Sequence, residues 1–164
     1  MTMDIDPQGQ KAATNGSRFE DVVEEAIKYS LEIPSLKWST FRSPEYDLST
    51  NDILLKNVPY ESIYGTRCRS EFLLRYKGRD IRIECKYQES PGSVDEKLPY
   101  LMMNFTQKVD EEETIIITHG DGFRDGALNW LRESCKDTKC KVFTLLEFIF
   151  YLNTLRNAHS SQTS

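Results

Sequence analysis

The sequence predicts an α/β layered domain: a mixed central β-sheet with helices on both faces. Three observations carry this reading. Apolar residues recur at helical spacing in Phe19–Ile27 and again in Leu145–Leu155. Two alternating runs, Ser70–Tyr76 and Asp80–Gln88, flank a Lys77-Gly78 turn as a hairpin would. A continuous β-branched stretch, Thr114–Thr118, reads as a strand buried on both faces.

In chain order, residues 1–16 are polar and rich in small side chains, which predicts a disordered arm. Ser17 followed by Glu20 has the form of a capping box. From there Phe19, Val22, Val23, Ala26 and Ile27 mark the core side of a helix that runs to about Glu32 and stops before Pro34. Residues 34–62 carry Pro34, Pro44 and Pro59 among aromatic anchors, and are expected to form loops with a short helix around Ser49–Lys56. After the hairpin, Val94–Phe105 is helical in part around Pro99, Thr114–Thr118 is a strand, Asp125–Ser134 a helix, Lys141–Phe143 a strand and Leu145–Leu155 a helix. The domain is therefore expected over 17–156, with a flexible tail over 157–164. No internal repeat interrupts it.

Composition sets limits on function. At 164 residues with 38% hydrophobic and 29% charged residues, the chain is that of one ordinary globular domain. No apolar run approaches the length of a membrane span, and the N-terminus lacks the apolar core of a secretory signal. Four cysteines, Cys68, Cys85, Cys135 and Cys140, have neither a disulfide framework nor zinc-ligand spacing, which points to reduced thiols and a cytoplasmic location. A net charge of −5 excludes a protein that coats nucleic acid by charge alone. Yet Arg67, Arg69, Arg75, Lys77, Arg79, Arg82 and Lys86 crowd into one hairpin against three acids, so that hairpin is locally basic.

The hairpin also gathers chemistry. Ile81, Ile83, Cys85 and Tyr87 alternate with Arg82, Glu84, Lys86 and Gln88, so one face is apolar and the other ionisable. A two-residue turn pairs Tyr76 with Arg79 and sets Glu71 directly opposite Glu84, with Lys86 on the same face. A four-residue turn would instead set Glu71 opposite Lys86, an ordinary cross-strand ion pair. Opposed carboxylates cost a sheet up to about 1 kcal/mol, and a metal ion between them would supply a reason to keep them. Phosphodiester hydrolysis uses this set: two carboxylates bind Mg²⁺, and an adjacent lysine orients the attacking water and offsets transition-state charge.

Glu71, twelve intervening residues, and Glu84-Cys85-Lys86 resemble the bipartite motif of the PD-(D/E)XK nuclease superfamily, with Ser70-Glu71 in place of Pro-Asp. The resemblance extends over about Ser17–Leu155 and implies a restriction-endonuclease-like core. It further implies metal ligation by Glu71, Glu84 and the Cys85 carbonyl, with catalytic assistance by Lys86. Gln88 matches a glutamine, and Glu20 a helix glutamate, of some members. The expected activity is Mg²⁺-dependent cleavage of DNA, with Mn²⁺ as substitute. Arg67, Arg69, Arg79, Arg82 and Lys97 are the expected DNA contacts, and a homodimer is compatible with a chain this short. The competing reading is a non-catalytic nucleic-acid- or protein-binding domain of the same fold. His119-Gly-Asp-Gly122 lacks the pattern of a phosphate loop and reads as a strand-to-helix turn.

Overall fold

The computed structural model describes residues 7–41 and 52–158. Its elements are α1 (Pro7–Leu31), β1 (Ser35–Lys37), α2 (Trp38–Phe41), β2 (Ile53–Glu61), β3 (Arg67–Tyr76), β4 (Arg79–Tyr87), α3 (Val94–Gln107), β5 (Glu113–His119), α4 (Asp125–Cys135), β6 (Cys140–Thr144) and α5 (Leu145–Asn157). The six strands lie in chain order, β1-β2-β3-β4-β5-β6. The β2–β3–β4 meander is antiparallel, whereas β1 on β2, β5 on β4 and β6 on β5 are parallel. The mixed sheet with helices on both faces is as the sequence predicts.

Burial explains the layers. Phe19, Val23, Ile27 and Leu31 follow one another at four-residue steps down α1 and are all buried. They pack, with Phe148, Leu152 and Leu155 of α5, on Phe72, Leu74, Ile81, Ile83, Cys85, Ile115 and Ile117 of the sheet. On the opposite face Leu98, Leu101 and Phe105 of α3 and Leu131 of α4 cover Ile116. β5 serves both cores, which is why its sequence is apolar without alternation. A smaller cluster of Phe41, Ile53, Leu55, Val58 and Leu73 closes the β1–β2–β3 end.

Three expectations are corrected here. The first helix begins at Pro7, not at Ser17, so residues 7–16 are helical rather than an arm, and Ser17 caps nothing. Proline suits the first helical position because its missing N–H would have no partner there. Val22, expected in the core stripe, is half exposed. Residues 34–62 are not mainly loop: β2 is a nine-residue strand. Ser49–Asn51, where a short helix was expected to start, lie outside the described residues, as do 1–6 and 159–164. Pro59 is tolerated in β2 because β1 pairs only with Leu54–Lys56, leaving that edge of Pro59 without a strand to bond.

Helix α3 runs through Pro99 over 14 residues. Thr144 and Glu147 form a capping box that starts α5. All four cysteines are free thiols.

Candidate active site

The turn between β3 and β4 holds Lys77 at φ 50° and Gly78 at φ 75°, the left-handed pair that a two-residue hairpin turn requires. It pairs Tyr76 with Arg79, and the ladder continues to Phe72 opposite Ile83. One step further Glu71 stands opposite Glu84, and there main-chain pairing gives way to side chains. The Glu71 amide donates to Glu84 Oε2 at 3.4 Å, and the Cys85 amide donates to Glu71 Oε2 at 3.0 Å. The two carboxylates occupy the cleft where the strands part.

The cause lies on β2. Lys56 pairs with Phe72 and Val58 with Ser70, so Asn57, at φ 57°, sits unpaired opposite Glu71. A left-handed residue in mid-strand breaks the alternation: Val58 joins Ile53 and Leu55 in one cluster although it lies an odd number of residues from each. The outer half of the β2–β3 hairpin thereby bends towards α3. Arg82 holds the bend from beneath. Its Nη1 donates to the Val58 carbonyl at 3.2 Å and to Ser70 Oγ at 2.9 Å, and its Nε and Nη2 grip both oxygens of Glu111 at 2.8 and 2.7 Å. The guanidinium also lies 5.5 Å from the Tyr60 ring centre.

Around the cleft, Lys86 Nζ is 2.6 Å from Glu84 Oε1. Burial, then the Glu84 charge, pushes the Glu71 carboxyl up to about 9. Burial opposes the Lys86 charge, but Glu84 and then Glu71 outweigh it and raise its pKa. Of the two helix glutamates beside the core stripe, Glu24 is engaged by Ser35 Oγ at 2.6 Å and Lys56 Nζ at 3.0 Å. Glu20 instead feels the charges of the cleft: burial raises its pKa, Glu84 adds to the rise and Lys86 counteracts it. Cys85 turns its thiol into the α1–α5 core, where burial pushes its pKa up.

The structure thus brings together Glu71, Glu84 and Lys86, with Glu20 near enough for the charges of Glu84 and Lys86 to act on it, but not every residue expected with them. Gln88 is buried and wholly engaged elsewhere. Its Nε2 donates to Asp95 Oδ1 at 3.0 Å and the Gly122 carbonyl at 2.9 Å, while its Oε1 accepts from the Val94 amide at 3.0 Å. It clamps the loop before α3 to the loop after β5, with both polar atoms of its side chain engaged. Arg82 is 5% exposed and is a packing residue, not a DNA contact. Arg79 is ion-paired to Glu113 at the hairpin turn, about 23 Å of extended strand away from Lys86. Arg67, Arg69 and Lys97 are exposed, with Arg67 opposite Glu61.

Sequence reasoning did not find Asn57, Tyr60, Asp95 or the loop crossing at Gly120 and Gly122. A Cβ on Gly120, which has φ 102°, would lie 2.3 Å from the Gln88 carbonyl oxygen, and one on Gly122 2.5 Å from Ser90 backbone atoms. The glycines of His119-Gly-Asp-Gly122 therefore serve close backbone approach, the signal for which was their spacing. His119 stacks on Phe19 at 5.0 Å between ring centres.

The sequence matches the family model of the PD-(D/E)XK nuclease superfamily domain over residues 14–156. The chain belongs to this superfamily. No curated protein matches it. Among solved structures, protein VC1899 from Vibrio cholerae superposes with a TM-score of 0.50 at 14% identity, over 96% of this chain and 36% of that one. At that identity the likeness concerns the fold alone, and this chain spans little more than a third of that protein. No helix among the described residues is long and apolar enough to cross a membrane.

Proposed function

We propose that this chain is a divalent-metal-dependent nuclease acting on DNA, with Glu71 and Glu84 as metal ligands. The observation that carries the reading is the pair of carboxylates in the parting of β3 and β4, answered within the cleft by the single charge of Lys86. Two acids in contact in a buried cleft repel unless one is protonated or a cation lies between them. No three His, Cys, Asp or Glu side chains among the described residues converge closely enough to hold a metal by themselves. That suits Mg²⁺, which keeps several waters and needs only one or two carboxylates besides substrate phosphate. The Cys85 carbonyl would supply a third protein oxygen, and Mn²⁺ would substitute.

Bound there, the ion would polarise the phosphate and lower the pKa of a coordinated water. The remaining work falls to the chain's own groups. Lys86, positively charged beside Glu84, orients the attacking water and offsets the charge that develops on the phosphate. Glu20 holds a further water of the ion's shell from α1. Arg67, Arg69 and Lys97 supply phosphate contacts that set the strand in place. Glu71, Glu84 and Lys86 are all carried on strands, so their spacing is held without loops.

Incubation of the purified protein with supercoiled, linear, single-stranded and branched DNA, with and without Mg²⁺, tests the reading. Cleavage that requires the metal and disappears in Glu84→Ala and Lys86→Ala, with the fold retained, is expected. Near wild-type cutting by either variant would remove the site assignment.

A further inference from the structure

A second feature lies at the far end of the β2–β3 hairpin, where it meets α3. The turn joining β2 to β3 carries Tyr64 at its tip, 75% exposed. An aromatic ring is an unusual choice there, where small polar residues are the rule, and this one is not loose. Its turn is fastened by the Ser62 amide to the Thr66 carbonyl at 2.9 Å, by paired Ser62 and Thr66 hydroxyls at 2.7 Å, and to α3 by the Ile63 amide on Asn104 Oδ1 at 2.8 Å. One face of the Tyr64 ring lies on Tyr100 of α3, with centres 5.1 Å apart and planes 22° apart. The Tyr100 hydroxyl is in turn 3.8 Å from Cys68 Sγ. Tyr60 continues the series inwards: it pairs with Cys68 across β2 and β3, and its ring meets Phe105 of α3 edge-on with centres 6.2 Å apart. The rings therefore run from the α3 core out to solvent.

Charge accompanies the rings. Arg67 and Arg69 leave the same turn on β3, and Lys97 lies one helical turn before Tyr100 on α3; all three are exposed. A rigid ring with one covered face and one open face, flanked by cations, fits a nucleobase with its backbone phosphates. A base inside a duplex has both faces covered by its neighbours, which favours an unpaired base as the occupant.

We propose that Tyr64, held on Tyr100, is a stacking platform for an unpaired nucleotide, which makes single-stranded DNA, or a single-stranded stretch within a duplex, the preferred substrate; this rests on the nuclease reading for its substrate class. Because Tyr100 and the turn already fix the ring, little side-chain freedom is lost when the base arrives.

Binding of a labelled single-stranded oligonucleotide and of the duplex of the same sequence, measured by fluorescence anisotropy without divalent metal, tests the platform separately from cleavage. Tyr64→Ala is expected to weaken single-strand binding by about 5- to 150-fold, the equivalent of about 1–3 kcal/mol for one stacked base. Duplex binding and melting temperature should stay unchanged, and Tyr64→Phe, which keeps the ring, should bind as the wild type does. A loss of twofold or less, or an equal loss on both DNAs, would overturn the platform. Failure of the wild type to cut any DNA in Mg²⁺ would instead refute the nuclease reading, while a single-strand-specific loss in Tyr64→Ala would still uphold the platform.

Discussion

Arg82 offers the sharpest separation between a structural and a nucleic-acid-binding role. Replacing it with alanine removes both hydrogen bonds to Glu111 and those to Ser70 and Val58, and leaves the Glu111 carboxylate, whose side chain is 10% exposed, without its partner. Removing one member of a buried ion pair costs about 3–5 kcal/mol, mostly through the stranded charge. For a domain of this size that corresponds to a fall in melting temperature of roughly 10 °C. The double change Arg82→Met with Glu111→Leu leaves no stranded charge and should recover most of the loss. Urea denaturation followed by circular dichroism gives the stabilities, and anisotropy at a temperature where both variants are folded gives DNA affinity. Arg82→Ala should also lose cleavage, since the bend it holds places Glu71 against Glu84. A stability loss below about 1 kcal/mol together with weakened DNA binding would refute the reasoning and return Arg82 to the DNA surface.

Other outcomes follow from the same geometry. Glu20→Gln has no helix cap to disturb and is relieved of its repulsion by Glu84, so the melting temperature should hold or rise slightly while cleavage falls at least about tenfold (one lost interaction of about 1.4 kcal/mol); full activity would remove Glu20 from the site. In metal-free protein the Glu71 carboxyl, raised to about 9, contributes stability that is fully present below pH 4.5 and is lost as pH climbs through 9. Thermal melts from pH 5 to 9 should therefore decline, more shallowly in Glu71→Gln, and added Mg²⁺ should raise the melting temperature most at the alkaline end. Gly122→Ala places a methyl group 2.5 Å from the Ser90 backbone and should cost about 1–3 kcal/mol, with faster proteolysis of the 89–93 loop as the readout.

Legibility in the sequence followed how local each cause was. The Glu71–Glu84 register could be read because Lys77-Gly78 contains everything a two-residue turn needs. The start of α1 could not, because residues 7–16 bear no apolar periodicity and only Pro7 hints at a beginning. β2 was hidden by the very residue that bends it: Asn57 interrupts the alternation that would mark a strand, and Pro59 follows two places later. Arg82 and Gln88 were assigned to the polar face of β4 correctly, but alternation says nothing of what covers a face. Glu111 lies 29 residues from Arg82 and Gly122 lies 34 from Gln88, and such partners are settled only by tertiary packing.

The sequential strand order has a consequence for how this molecule is made. Each strand from β2 onwards docks beside the one synthesised just before it, so the sheet grows at one edge and never has to open to admit a latecomer. Short sequence separation between pairing partners favours rapid assembly. The three strand-borne members of the cleft lie within sixteen consecutive residues, Glu71 to Lys86, with Glu20 supplied by the preceding helix. A ribosome-bound chain would thus hold every acid and the lysine of the cleft before β5, β6, α4 and α5 had emerged. β5 pairs with β4 from Glu84 to Lys86 and α5 packs on α1, so the cleft has its residues early but is fixed in place only when those elements dock.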